Sequence, residues 1–218
     1  VAPLLRGLLG LAPDAPAGRL TFAPALPADW DFVRVGRVPL AGRRVDLDLR
    51  RTATGLVLNA GLAGGEPVEL VFSPRLPPGT RVSGLAVDGA AVTPVVTVTP
   101  RGVAAVCTVR LAGAARVELV LDEPPAVFLL PAESAVGDSD RGPRVIDQAW
   151  TGAGLHLEVE GQPGRAYALG VTHPERIRDV VGAELRDGRL CFIIPGAPDG
   201  TFVPHAITVA VIPRKETP

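Results

Sequence analysis

The chain has 218 residues, 47% of them hydrophobic, which suits one or two packed domains and excludes an intrinsically disordered chain. A formal net charge of −1 provides no basic excess of the kind that binding to nucleic acid or an anionic membrane surface requires. Arginine supplies nearly all of the positive charge, Lys215 being the sole lysine, and methionine is absent. We read this as a GC-rich bacterial coding bias, so abundant arginine is a weak argument for phosphate binding. No apolar run approaches the roughly 20 residues of a spanning helix, and the first residues lack the regions of a signal peptide. The chain is expected to be soluble, its compartment left open, and its start within helical spacing is read as that of a processed or excised piece.

Leu4, Leu5, Leu8, Leu9 and Leu11 fall on one face at helical spacing, and Gly10 and Pro13 end the run. This predicts that the chain begins in a short helix. Asp14, Pro16 and Gly18 then predict a turn, after which Leu20 and Phe22 alternate with Arg19 and Thr21 as in a half-buried strand. Two prolines at 24 and 27 lead to Trp30, which is expected to plug a loop by burial. From Leu20 to Leu121 the period of two recurs. Val45, Leu47 and Leu49 oppose Asp46, Asp48 and Arg50, and Val117, Leu119 and Leu121 oppose Glu118, Val120 and Asp122. Further strands are expected at 56–58, 68–72, 82–87, 95–98 and 103–111, with Asp88-Gly89 as a two-residue hairpin turn.

About nine short strands without a convincing helix among them point to an antiparallel sandwich. Pro124-Pro125 interrupts the ladder and marks the expected boundary. Beyond it, strands are expected at 127–130, 155–159, 166–171, 180–185, 190–194 and 207–211, with turns at Gly161 to Gly164, Asp187-Gly188 and Asp199-Gly200. His173 to Ile177 can start a helical turn with Pro174 in its first position. The expected fold is therefore all-β: two consecutive antiparallel β-sandwich units behind a short N-terminal helix. Residues 1–19 form the junction, 20–123 the first unit and 126–218 the second, smaller one.

The order LLGL, PDAPAGRL, LP and DW between Leu8 and Trp30, followed by Val33, Val35 and the VDLDLRR of Val45 to Arg51, carries a resemblance. It resembles the junction after the catalytic barrel in bacterial glycogen-debranching-type (amylo-α-1,6-glucosidase-like) glycoside hydrolases, most strongly over residues 4–51. In that family an (α/α)6 barrel ends in a helix and a β-sandwich follows and packs against it. The resemblance implies a helical catalytic domain in the same parent chain as partner. It transfers no catalytic residue, because the family's acid and base lie on barrel loops.

The residues themselves offer little chemistry. Glu133, Asp138, Asp140 and Asp147 concentrate oxygen ligands in one expected loop, but the string lacks calcium-loop spacing and Arg141 and Arg144 would neutralise it. A solvated connection is the preferred reading, and no cofactor or metal is called for. His156, His173 and His205 have no local nucleophile or orienter, so packing or surface roles are expected. Cys107 and Cys191 are read as buried free thiols in strands. Among Trp30, Trp150 and Tyr167, Trp150 is the best sugar-contact candidate, because it follows the polar Asp147-Gln148 in what reads as a long loop.

Three functions are compatible with this reading. The first is a non-catalytic β-region supporting a glycosidase-like barrel, itself not an enzyme. The second is a structural subunit assembling with copies of itself in a surface layer or filament. The third is a module that binds polysaccharide. Leu4, Leu5, Leu8, Leu9 and Leu11 are the interface candidates, because a short helix cannot hide them within itself and burying each contributes roughly 1.5–3 kcal/mol.

Overall fold

The computed structural model describes residues 4–131, 141–152, 154–196 and 200–212. The fold is all-β, and the chain separates into two compact units, Val1–Glu123 and Pro124–Pro218.

In the first unit, β1 (Leu11–Asp14) and β2 (Arg19–Phe22) form a hairpin, and β3 (Phe32–Leu40), β4 (Arg43–Thr52) and β5 (Gly55–Ala63) a meander. Then follow β6 (Val68–Phe72), the two-residue β7 (Arg75–Leu76), β8 (Arg81–Val87) with β9 (Ala90–Ala91), β10 (Val95–Thr99) with β11 (Gly102–Leu111), and β12 (Ala114–Asp122). One sheet runs β1-β2-β6-β11-β10, with β7 also on β11, and the other β3-β4-β5-β12-β8-β9. Their buried side chains form one core. Leu20, Phe22, Leu70 and Phe72 come from the first sheet, and Val45, Leu47, Leu49, Leu58 and Val117 from the second. The Phe22 and Phe72 rings stack at its centre with centroids 5.9 Å apart.

In the second unit, β13 (Val127–Leu129), β14 (Arg144–Trp150), β15 (Gly154–Gly161) and β16 (Ala166–Val171) precede a 3₁₀ turn at Pro174–Arg176. After it come β17 (Ile177–Val181), β18 (Glu184–Arg186), β19 (Arg189–Ile193) and β20 (Val203–Val211). The sheets run β13-β16-β19-β18 and β14-β15-β20-β17, and again both feed one core, with Leu155, Leu157 and Ile207 from one and Leu169, Leu190 and Phe192 from the other.

Turn chemistry explains several hairpins. Asp88 and Gly89 adopt φ of 50° and 82°, the paired left-handed conformation that matches the twist of flanking strands, and Asp187-Gly188 repeats it at 48° and 70°. Ala41-Gly42 does the same between β3 and β4, at 49° and 78°, without the Asn or Asp that would have signalled it. Asp199 lies outside the described residues.

The structure corrects four expectations. The N-terminal helix is a single π-helical turn, Leu4–Leu8, and Leu11 begins a strand. Leu9 and Leu11 are two apart, the spacing of one face of an extended chain, whereas on a helix they would point in nearly opposite directions. Gly10 at φ +55° turns the chain, and the Leu8 and Gly10 carbonyls accept bonds from the Ala25 and Ala23 amides at 2.8 and 3.2 Å. Second, the sheets are not wholly antiparallel: β2 pairs with β6 in parallel, because the chain visits β3 to β5 in the other sheet before returning. Third, 180–185 is not one strand. Gly182, at φ +87° and with no room for a Cβ against the Ala206 carbonyl, splits it between two sheets. Fourth, Asp147 to Trp150 is strand, part of β14, and not loop.

These positions assign the leucines. Leu9 and Leu11 are 7% and 6% exposed within the first unit's own core, and Leu8 packs against it; the side chains of Leu4 and Leu5 lie outside the described residues. Leu11→Asp is therefore expected to lower the stability of the first unit by several kcal/mol, since it places a carboxylate in an apolar core. In urea-induced unfolding, the transition belonging to the first unit should move to lower denaturant. An unchanged midpoint would show that Leu11 is not a core residue.

Candidate functional site

The outer face of β3, β4 and β5 carries a set of mutually bonded charged side chains. It follows from alternation on β4: Val45, Leu47 and Leu49 point inward at 0%, 2% and 1% exposure, so Asp46, Asp48 and Arg50 point outward. Register sets their neighbours. Arg34 of β3 stands opposite Asp48, Asn59 of β5 stands on its other side, and Asp46 pairs with Gly61. A bulge between Val35 and Val38 brings the Arg37 amide to 2.7 Å from Asp46 Oδ1, an amide that the ladder would otherwise leave unpaired.

Asp48 is clamped from two sides. Arg34 Nε donates to its Oδ2 at 2.8 Å, and Arg50 donates from Nε to Oδ1 at 3.0 Å and from an Nη to Oδ2 at 3.1 Å. The hydrogen bonds from Arg50, then those of Arg34, hold its carboxyl below the usual aspartate range against partial desolvation, and Asp48 in turn raises Arg50. Gly36 and Gly61 have no side chains to fill the surface beside Asp46. The result is an open hollow of about 420 Å³ lined by Arg34, Gly36, Asp46, Asp48, Asn59 and Gly61, among others. Phe32 stands two residues from Arg34 on β3, outside the lining of the hollow and 59% exposed, with its ring centroid 5.8 Å from the Arg34 guanidinium carbon and Arg50 opposite it across the strand pair.

The residues singled out by sequence lie elsewhere. Trp150 ends β14 opposite Leu155 and is half-buried against the second unit's core. Tyr167 is buried there, its hydroxyl 2.6 Å from the Gln162 amide. Trp30 departs from the expected plug: it is 39% exposed, with its amide donating to the Pro27 carbonyl. His156 lies 3.1 Å from the Thr208 hydroxyl, His173 holds the left-handed position before the 3₁₀ turn, and His205 stacks on Phe192 with Nε2 2.6 Å from the Gly182 carbonyl oxygen. Both cysteines are free thiols, and burial pushes that of Cys107 up; Cys191 is only half-buried. Glu133, Asp138 and Asp140 lie outside the described residues. Among the described ones, no group of three His, Cys, Asp or Glu side chains gathers to hold a metal, and no helix is long and apolar enough to cross a membrane.

The alternation of β4 placed Asp46 and Asp48 on a solvated face in the sequence. It could not show Asn59, Arg34 or Phe32 beside them, because that depends on which strands flank β4 and in what register. No protein-family model, curated protein or solved structure matches the chain.

The clamp has a pH signature. Because the folded-state pKa of Asp48 lies below its unfolded value of about 3.9, its contribution is complete above that value and lost as pH falls through the folded pKa. Asp48→Asn is expected to remove this contribution, a small one for an exposed pair, at neutral pH and to flatten the loss of first-unit stability below about pH 4 by the same amount. Urea midpoints measured against pH would test this; identical acid limbs in both proteins would refute the clamp.

Proposed function

We propose that the chain is a non-catalytic β-region of a glycoside-hydrolase-like protein, each unit a two-sheet β-sandwich, serving to support an (α/α)6 catalytic domain of the same parent. The resemblance of residues 4–51 suggests the parent, and the clamped Asp48 carries the non-catalytic part. Glycoside hydrolysis needs a pair of carboxyl groups, one of them kept protonated by a raised pKa. Asp48 is held ionised by two guanidiniums, and its neighbour Asp46 already accepts a backbone bond. A carboxylate held ionised in this way suits a surface that binds or supports and does not suit the role of general acid. The purified chain is expected to release no glucose from glycogen or maltooligosaccharides. Sustained release that a single carboxylate substitution in this chain abolishes would overturn the proposal.

A second reading, a subunit that assembles with copies of itself, is favoured by β10. Both of its faces are open: Val95, Val96 and Val98 are 68%, 41% and 70% exposed. Among the described edge strands of five or more residues, β3, β14 and β17 each carry charged side chains and a register irregularity, and β10 carries neither charge nor proline nor bulge. Edges without such guards pair with other strands. Two copies of β10 aligned antiparallel about Thr97 would set Val96 against Val98 and oppose no like charges. Under this reading the chain associates in a concentration-dependent way, and Val96→Lys with Val98→Lys makes it monomeric at an unchanged thermal midpoint. Sedimentation showing a monomer at all concentrations would remove this reading.

A further inference from the structure

We propose that the hollow on the outer face of β3, β4 and β5 is a binding site for a neutral, polyhydroxylated ligand, the chemical class that includes saccharides. The inference stands whether or not the parent is glycosidase-like.

Its size is the first argument. About 420 Å³ falls within the range of small-molecule sites, and the space exists because two of the outward positions around Asp46 are glycines. At Gly61 a Cβ would meet no atom within 4 Å, and its φ is not left-handed, so neither sterics nor backbone requires glycine there. A strand interior ordinarily gains from a side chain at such a position. Glycine here keeps the hollow open.

The second argument is the inventory of hydrogen-bonding groups. Asp46 uses Oδ1 on the Arg37 amide, which leaves Oδ2 as an acceptor. Arg34 uses Nε on Asp48, which leaves its Nη donors on a largely exposed side chain. Asn59, whose amide carries both a donor and an acceptor, is among the residues that line the mostly apolar hollow and makes no side-chain bond among the described residues. Vicinal hydroxyls, each both donor and acceptor, match a set that mixes the two.

Charge decides among ligand classes. Arg34 and Arg50 balance Asp46 and Asp48, so a phosphate would meet Asp46 and a divalent cation would meet two guanidiniums. A neutral ligand meets neither penalty. Two residues from Arg34 on β3, the exposed Phe32 ring, with the Arg34 guanidinium over it at 5.8 Å from its centroid, adds an apolar surface against which the C–H face of a sugar ring can stack.

The test is calorimetric titration of the whole chain with neutral malto-, cello-, xylo- and mannooligosaccharides as probes, and with sodium phosphate and calcium chloride as counter-probes. At least one neutral saccharide should bind. Gly61→Leu, which fills the hollow, should abolish that binding with a thermal midpoint no lower than that of the unsubstituted chain, and Asn59→Ala should weaken it about tenfold with an unchanged midpoint. Should Gly61→Leu fail to fold, Asn59→Ala and Phe32→Ala decide the matter. The proposal is overturned if no neutral saccharide binds at millimolar concentration, if phosphate or calcium binds as tightly as the best saccharide, or if binding survives these substitutions.

Discussion

The first unit depends on the register of β4. Val45, Leu47 and Leu49 are almost wholly buried, and a slip of one residue would drive Asp46, Asp48 and Arg50 into the core in their place. Burying an unpaired ionised carboxylate costs far more than any single surface contact returns, so the register is locked by the core and not by the charges it displays. Everything on the opposite face inherits that order. Arg34 meets Asp48 because β3 is registered on β4, and Asn59 and Gly61 arrive because β5 is. The polar face is in this sense a by-product of apolar packing, which is also why its geometry can be fixed at a solvent-exposed surface.

How far the sequence disclosed this structure varies with the range of the interaction involved. Strands with unbroken alternation, such as β4 and β12, and turns with their own backbone chemistry, such as Asp88-Gly89, are local and were legible. The misses share a cause in non-local context. The leucines near the start fit two periodicities, and only the bonds from Ala23 and Ala25 choose the extended one. Strand β14 was hidden because a register shift between Val145 and Asp147 breaks its period. Across Gly182 the sequence reads as one strand, 180–185, whereas the Ala206 carbonyl pressed against that glycine marks a crossing between sheets. The parallel pairing of β2 with β6 leaves no local trace at all. For the hollow, half was visible, namely two outward carboxylates; their partners on β3 and β5 required the register.

Charge elsewhere on the chain is spent on the surface. Arg19 meets Glu69 directly across the parallel β2–β6 pair at 2.5 Å, and Arg186 meets Glu184 at 2.5 Å within one strand. Both pairs are exposed, and such pairs contribute little individually. Arg51 differs: one Nη lies 2.6 Å from both carboxylate oxygens of Glu123, with the two side chains only 20% and 15% exposed. Of the two neighbouring arginines, then, Arg50 serves the outer face and Arg51 ties the end of the first unit to β4. These arginines thus each have a carboxylate partner within the fold.

The aromatic residues sharpen the contrast between what the fold needs and what it does not. Phe22, Phe72, Tyr167 and Phe192 fill the two cores and stack on one another. Phe32 does neither. Its outward position on β3 would be satisfied by any polar or β-branched side chain, and the neighbouring outward residue on that strand is Arg34. A single exposed apolar side chain is ordinary on a protein surface. On the same outer face, however, β4 and β5 carry a glycine that neither sterics nor backbone demands, an amide without a partner among the described residues, and a carboxylate with one oxygen to spare. Places where several local choices depart together from what the fold alone would select are where function is to be sought, and on the described surface the departures converge between β3 and β5.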